Sequence, residues 1–212
     1  MTDLPKLITD ARRFFTALEA DNSKAWFQEH KSTYDADLKA PAKALLDTMS
    51  APLEEMCGDP VKSKLYRPHR DVRFSKDKTP YNTHLHMLWG TEPGGPFAPG
   101  YFFGVSPSYV TVGVGQMDFG KDGIAAWRQM VDLDGARLAE MLKGLRASGH
   151  RVSAPGLKRV PSPFDKDHPH GELLRHKGMT IWSDADETLT VDGLRARFEV
   201  LTPFVRALTG WT

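Results

Sequence analysis

The chain has one cysteine, Cys57, among 212 residues, which excludes an internal disulfide and any cysteine-rich zinc site. It has no apolar run near the ~20 residues that span a bilayer. Its first residues, MTDLPKLITDARRFF, hold no apolar stretch of signal-peptide length. Together these absences point to a reducing, cytoplasmic setting and no membrane partner. Charge of one sign is not in excess either. The formal net charge is +1, so any anion recognition must come from local clustering. Internal repeats, coiled-coil heptads and low-complexity tracts are missing. So are a G-x-S-x-G elbow and a glycine-rich phosphate loop. What is present is an ordinary core-forming composition, 40% apolar and 26% charged.

The periodicity changes three times along the chain. Residues 1–57 read as helical. Pro5 opens a first helix through Phe14, Phe15 and Leu18, and Asp21, Asn22 and Ser23 offer caps for a second. Trp26, Phe27, His30 and Tyr34 fall on one face of that second helix. Pro41 starts a third helix, ending near Cys57-Gly58. Val61–Ser75 and Thr83–Trp89 then look extended, and 91–100 is turn-rich. Tyr101–Val105 and Tyr109–Gly115 form the clearest hairpin signal, with Val110, Val112 and Val114 on one face. Two helices follow over Gly123–Val131 and Gly135–Leu145, with Asp134 capping the second. After the polar stretch Ser148–His170 come a short helix near 171–176, a strand at Met179–Trp182 and a closing helix over Val191–Leu208. Helices, neighbouring strands and helices again predict an α+β fold in one domain, 1–212. A mainly antiparallel sheet from the middle of the chain is covered by N- and C-terminal helices, with no Rossmann layout.

The chemistry concentrates in two segments. From Lys62 to His86 there are seven cations against two anions, Asp71 and Asp77. Arg70 and Arg73 offer rigid donor forks suited to phosphate or carboxylate, and Lys76 and Lys78 add point charges. An extended Arg70–Phe74 sets Asp71 beside Arg73. Ser75–Pro80 is a turn whose amides are candidates for holding an anion. Phe74 and Tyr81 within the run suggest a pocket. A solvated hairpin tip with weak Arg–Asp pairs is the alternative. His84 and His86 sit two apart, a spacing compatible with a metal site but more often found on an ordinary polar face, and no metal is assigned. The second segment carries Lys158, Arg159, Lys166, Arg175 and Lys177 with Asp165, Asp167, His168 and His170. An Asp–His arrangement there can tune a general base.

The sequences NSKAWFQEHK (22–31), RDVRFSKDKTPYNTH (70–84), YFFGVSPSYVTVGVG (101–115) and LKRVPSPFDKDHPHGELLRHK (157–177) resemble the bacterial and fungal family known as domain of unknown function 2461. The likeness covers nearly the whole chain in order. It implies one domain of about this length and no settled activity. It also implies that Asn22, Trp26, Phe27, Arg70, Asp71, Arg73–Lys78, Pro80, Tyr81, Lys158, Pro161, His168, Pro169 and Lys177 are motif positions. His86 lies outside that pattern, and Asn82 stands where the pattern has a basic residue.

The expected function is a cationic pocket that binds or acts on a phosphorylated or carboxylated small molecule. Arg70, Arg73, Lys76, Lys78, Tyr81, Lys158 and Lys177 are its expected ligand contacts. Asp71, Asp77 and His168 are its acid–base candidates, and the cofactor is unknown. Both basic segments would then line one site. A nucleic-acid-binding module and a self-paired architectural network are the alternatives.

Overall fold

The first helix begins where the Asp3 carboxylate accepts the Lys6 amide proton, and it buries Leu4, Leu7, Ile8, Ala11, Phe14, Phe15 and Leu18 along one stripe. In the computed structural model, which describes residues 2–93 and 95–211, this is α1 (Leu4–Ala20). Ser23 caps α2 (Lys24–Glu29), leaving Asn22 free for another task. The chain continues through α3 (Lys31–Thr33) and a π-helical turn, Tyr34–Lys39, into α4 (Ala40–Cys57). Pro41 therefore sits in the first turn of α4 without starting a separate helix. Gly58, at φ 85°, ends α4 in the left-handed conformation that glycine adopts most easily.

Six antiparallel strands follow: β1 (Val61–Leu65), β2 (Leu85–Thr91), β3 (Gly100–Val105), β4 (Val110–Gln116), β5 (Arg151–Val152) and β6 (Met179–Ala185). Their order across the sheet is β1-β2-β3-β4-β6-β5. The expected strand over 61–75 is shorter than its pattern suggested, because pairing with β2 stops at Leu65. The fold is α+β, with the sheet from the middle of the chain. Between β4 and β5 runs α5 (Gly120–Ala147), broken at Asp134 (φ −137°) where two helices were expected. The remaining helices are α6 (Gly171–Leu174) and α7 (Val191–Thr209). Gly94, within the expected 91–100 loop, lies outside the described residues.

The core lies on one face of the sheet. Alternation puts Leu85, Met87 and Trp89 of β2, Tyr101, Phe103 and Val105 of β3, and Val110, Val112 and Val114 of β4 on that face, all buried. α1, α4 and α7 cover it. Phe198 of α7 meets Trp89 and Tyr101 edge-on, at 5.9 and 5.1 Å between ring centres. The Trp89 indole N–H donates to the Leu46 carbonyl, so the ring buries no unpaired polar atom. α5 packs against α6 and β5 at the far edge. No helix among the described residues is long and apolar enough to cross a membrane.

Candidate functional site

The opposite face of the sheet holds an open trough of about 530 Å³ over the central strands. Register explains its floor. One row across the sheet reads Lys64, Leu88, Phe102, Gly113, Trp182 and Arg151, and the row above it contains His86, Gly104, Thr111 and Asp184. At three positions a glycine on one strand seats a side chain from its neighbour. A Cβ on Gly113 would stand 2.3 Å from the Trp182 ring, on Gly104 3.0 Å from His86, and on Gly100 2.5 Å from Leu88. These residues are glycine because flat rings and a leucine lie on the backbone there. Trp182 and Phe102 sit 5.5 Å apart, both half-buried, with ring surface toward the trough.

Polar groups converge at one end. The His86 Nε2 and the Tyr109 hydroxyl share a hydrogen bond of 2.7 Å, and the His84 ring stacks on His86 at 3.7 Å. Burial, and then the neighbouring His84, push the His86 pKa down to about 4, so its imidazole is neutral near pH 7. Burial lowers the His84 pKa and raises that of Tyr109. Arg151 lines the other end with its guanidinium held by the Asp184 carboxylate, and the Lys64 ammonium stands 4.6 Å from the centre of the Tyr66 ring. A largely apolar trough with a few convergent polar groups and a shifted histidine has the composition of a ligand site. The sequence held one signal for it: Thr111 and Gly113 alternate with the valines of β4, marking a second face.

The residues expected from sequence lie elsewhere. Residues 66–84 extend the β1–β2 hairpin, joined by Arg70 N–H to the Pro80 carbonyl and Asn82 N–H to the Pro68 carbonyl. At its tip Arg70 binds Asp77 (2.6 Å) and Thr79, and Asp71 takes both the Nε and Nη2 protons of Arg73. The expected Asp71–Arg73 pairing is present, but in a turn and not a strand. Asp77 accepts the Thr79 amide, which with Arg70 holds its pKa down to about 2; the amides expected to cradle an anion are partly taken by this carboxylate. Lys78 donates to the Val72 carbonyl, and Lys76 is exposed. Tyr81 is buried and stacked on Phe27 at 4.1 Å.

Asn22 explains how this hairpin is held. Its side-chain amide donates to the Tyr81 carbonyl (3.0 Å) and accepts the Tyr81 N–H (3.1 Å), standing in for a strand partner. Asn22→Ala leaves both backbone groups without that partner. It should lower stability by about 1–3 kcal/mol in chemical denaturation, and an unchanged midpoint would contradict this role.

Lys158, His168 and Lys177 belong to the segment between β5 and β6, packed along α5. The His168 Nδ1 accepts the His170 amide proton, and its Nε2 faces Asp132 of α5 at 3.3 Å, so the Asp–His pair draws on a helix and not on Asp165 or Asp167. Lys158 and Lys177 are exposed, and the Lys177 methylenes lie against Gly156. The sheet order keeps the two basic segments apart. The first leaves the ends of β1 and β2 at one edge, and the second enters the opposite end of β6 near the other. Leu85 and Met179 are three strand steps and six residues apart, roughly 25 Å. Among the described residues no hydrogen bond or ion pair joins the two segments.

A family model described as conserved hypothetical protein (DUF2461) matches residues 10–206. No curated protein matches the chain.

Proposed function

The chain belongs to the DUF2461 family, and on that premise we propose that it binds an anionic small molecule carrying a flat unsaturated ring, with the sheet-face trough as the site. The observation that carries this reading is the paved floor. Gly113 and Gly104 let Trp182 and His86 lie flat, and a planar ring has Trp182 and Phe102 to stack on. An acid group on that ring falls beside Arg151, the direct cross-strand neighbour of Trp182, whose fork Asp184 already orients. The ligand's charge is carboxylate, sulfonate or phosphate.

8-Anilinonaphthalene-1-sulfonate is a suitable probe. Its fluorescence should rise saturably with one site per chain, and Trp182→Ala should weaken binding roughly tenfold, since ring stacking contributes about 1–3 kcal/mol. Arg151→Gln should weaken the sulfonate but not an uncharged naphthalene. Non-saturable binding, or a Trp182→Ala variant that binds as well as the parent, removes the trough from consideration.

A nucleic-acid module is the second reading, favoured by Phe74. That ring is 96% exposed at the hairpin tip, near Arg73, in a turn that also carries Lys76 and Lys78. Such a group suits stacking on a base beside a phosphate backbone. Titrating single-stranded oligonucleotide at two salt concentrations separates the readings, because phosphate tracking weakens steeply with salt and ring binding in the trough does not.

A further inference from the structure

A second cavity, of about 270 Å³, lies on the helical side of the sheet between the π-helical turn, the start of α4 and the base of the 66–84 hairpin. Lys31, Lys39, Lys43 and Arg67 line it, against one carboxylate, Asp35. Asp35 is bound by both Lys31 and Lys39, which together hold its pKa below the ordinary value. Lys43 and Arg67 have no ion-pair or hydrogen-bond partner among the described residues. Arg67 is near enough to Asp71 to lower its pKa without pairing with it.

The backbone explains why these charges face one way. Lys31, Asp35, Lys39 and Lys43 are spaced four apart, and in a regular α-helix such a series drifts round the axis because 3.6 residues make a turn. The wider π turn over Tyr34–Lys39 rotates less per residue, which offsets the drift and keeps the series along one stripe. π turns are uncommon and recur at functional sites. Lys39 and Lys43 are also like charges at i,i+4, an arrangement unfavourable in itself. Irregular backbone and unbalanced cations meet at the same cavity, where Arg67 approaches from across the hairpin base. A bound anion with several oxygens would balance both lysines and occupy the arginine fork.

We infer that this cavity is an oxyanion site for a small phosphate-bearing molecule, with Lys39, Lys43 and Arg67 as its contacts. Its volume lies just under the usual range for ligand pockets, roughly 300–1,000 Å³, and this suits a compact ligand such as a pyrophosphate or a short phosphate ester. The cavity shares only Tyr66 with the trough, and none of its proposed contacts, Lys39, Lys43 and Arg67, lines the trough.

Calorimetric titration of the full chain with pyrophosphate and with glycerol 3-phosphate, at low and at physiological salt, tests the assignment. Saturable binding of either at one site per chain is expected, weakening with salt. Lys43→Gln and Arg67→Gln should each reduce affinity roughly tenfold, while Trp182→Ala should leave it unchanged, which separates this site from the trough. Both substituted side chains are exposed, so the variants should melt with the parent, and a thermal melt checks that. Binding of the ester identifies a phosphorylated metabolite, and binding of pyrophosphate alone identifies the inorganic anion. If neither binds saturably, or if the Lys43→Gln/Arg67→Gln double variant binds as tightly as the parent, the inference is overturned.

Discussion

Truncating Trp127 to alanine should cost about 3–5 kcal/mol of stability and lower the melting temperature by roughly 10 °C. The residue is fully buried on α5, its ring is stacked on Phe119 at 5.1 Å, and its indole N–H donates to the Leu173 carbonyl at 2.7 Å. That one bond ties α5 to α6 across 46 positions of sequence. Alanine leaves a cavity and removes one of the two donors to the Leu173 carbonyl, which keeps the His176 amide, so the lost indole bond adds to the cavity cost. Trp127→Phe separates the two, since it keeps most of the ring and loses only the bond, and should cost about 1–2 kcal/mol. Hydrogen exchange should show the amides of Leu173–His176 losing protection in both variants. A Trp127→Ala chain that melts with the parent would mean that the segment between β5 and β6 is held by something other than this indole.

What could be read from the sequence is what local periodicity encodes. α1 and α7 present apolar residues at three- and four-residue steps, and β3–β4 alternates, so each of these elements has its buried face written within itself. The 66–84 hairpin does not. Its form depends on Asn22 reaching Tyr81 across 59 positions and on Phe27 stacking there, and no short-range pattern announces either contact. The π turn also lacks a signature, and the residues 31–39 read simply as helix. The trough needed the register of Gly113 against Trp182 and of Gly104 against His86, and register is a property of the folded sheet. The two basic segments have the same chemistry, which invited a shared site, but β6 inserts between β4 and β5 and puts their anchors at different edges. Likeness of composition carries no information about which strand ends meet.

Acid should destabilise this protein well before its carboxylates titrate, and the histidines give the reason. Burial, and then His84, push the His86 pKa from 6.5 to about 4, and burial also lowers His84 and His176. His176 is fully buried, and neither ring nitrogen makes a hydrogen bond of good geometry among the described residues, although the nearby Gly178 backbone partly opposes the downward shift. In each case the folded pKa lies below the unfolded one, so between those values the unfolded chain binds more protons and stability rises with pH. Stability should therefore be flat above about pH 7 and fall as the pH drops from about 6.5 toward about 4. The His86 part is about 2–3 kcal/mol at most, since a tenfold change in proton affinity is worth ~1.4 kcal/mol and solvent screens part of it. Asp77 and Asp71 also have depressed pKa values, so their linkage has the same sign but a lower pH window. They favour the fold above the ordinary carboxylate range and lose that contribution only below it, so they do not produce the earlier fall. Urea unfolding across this range should show the decline, and His86→Gln, which keeps a polar group facing Tyr109, should flatten it. An unaltered pH slope in that variant would place the acid sensitivity elsewhere, with His176 next to be replaced. If His86 is the source, protonating it also puts a cation beside the trough. The naphthalene sulfonate should then bind relatively more tightly than its uncharged counterpart as the pH approaches 4, an effect that a purely structural histidine would not produce.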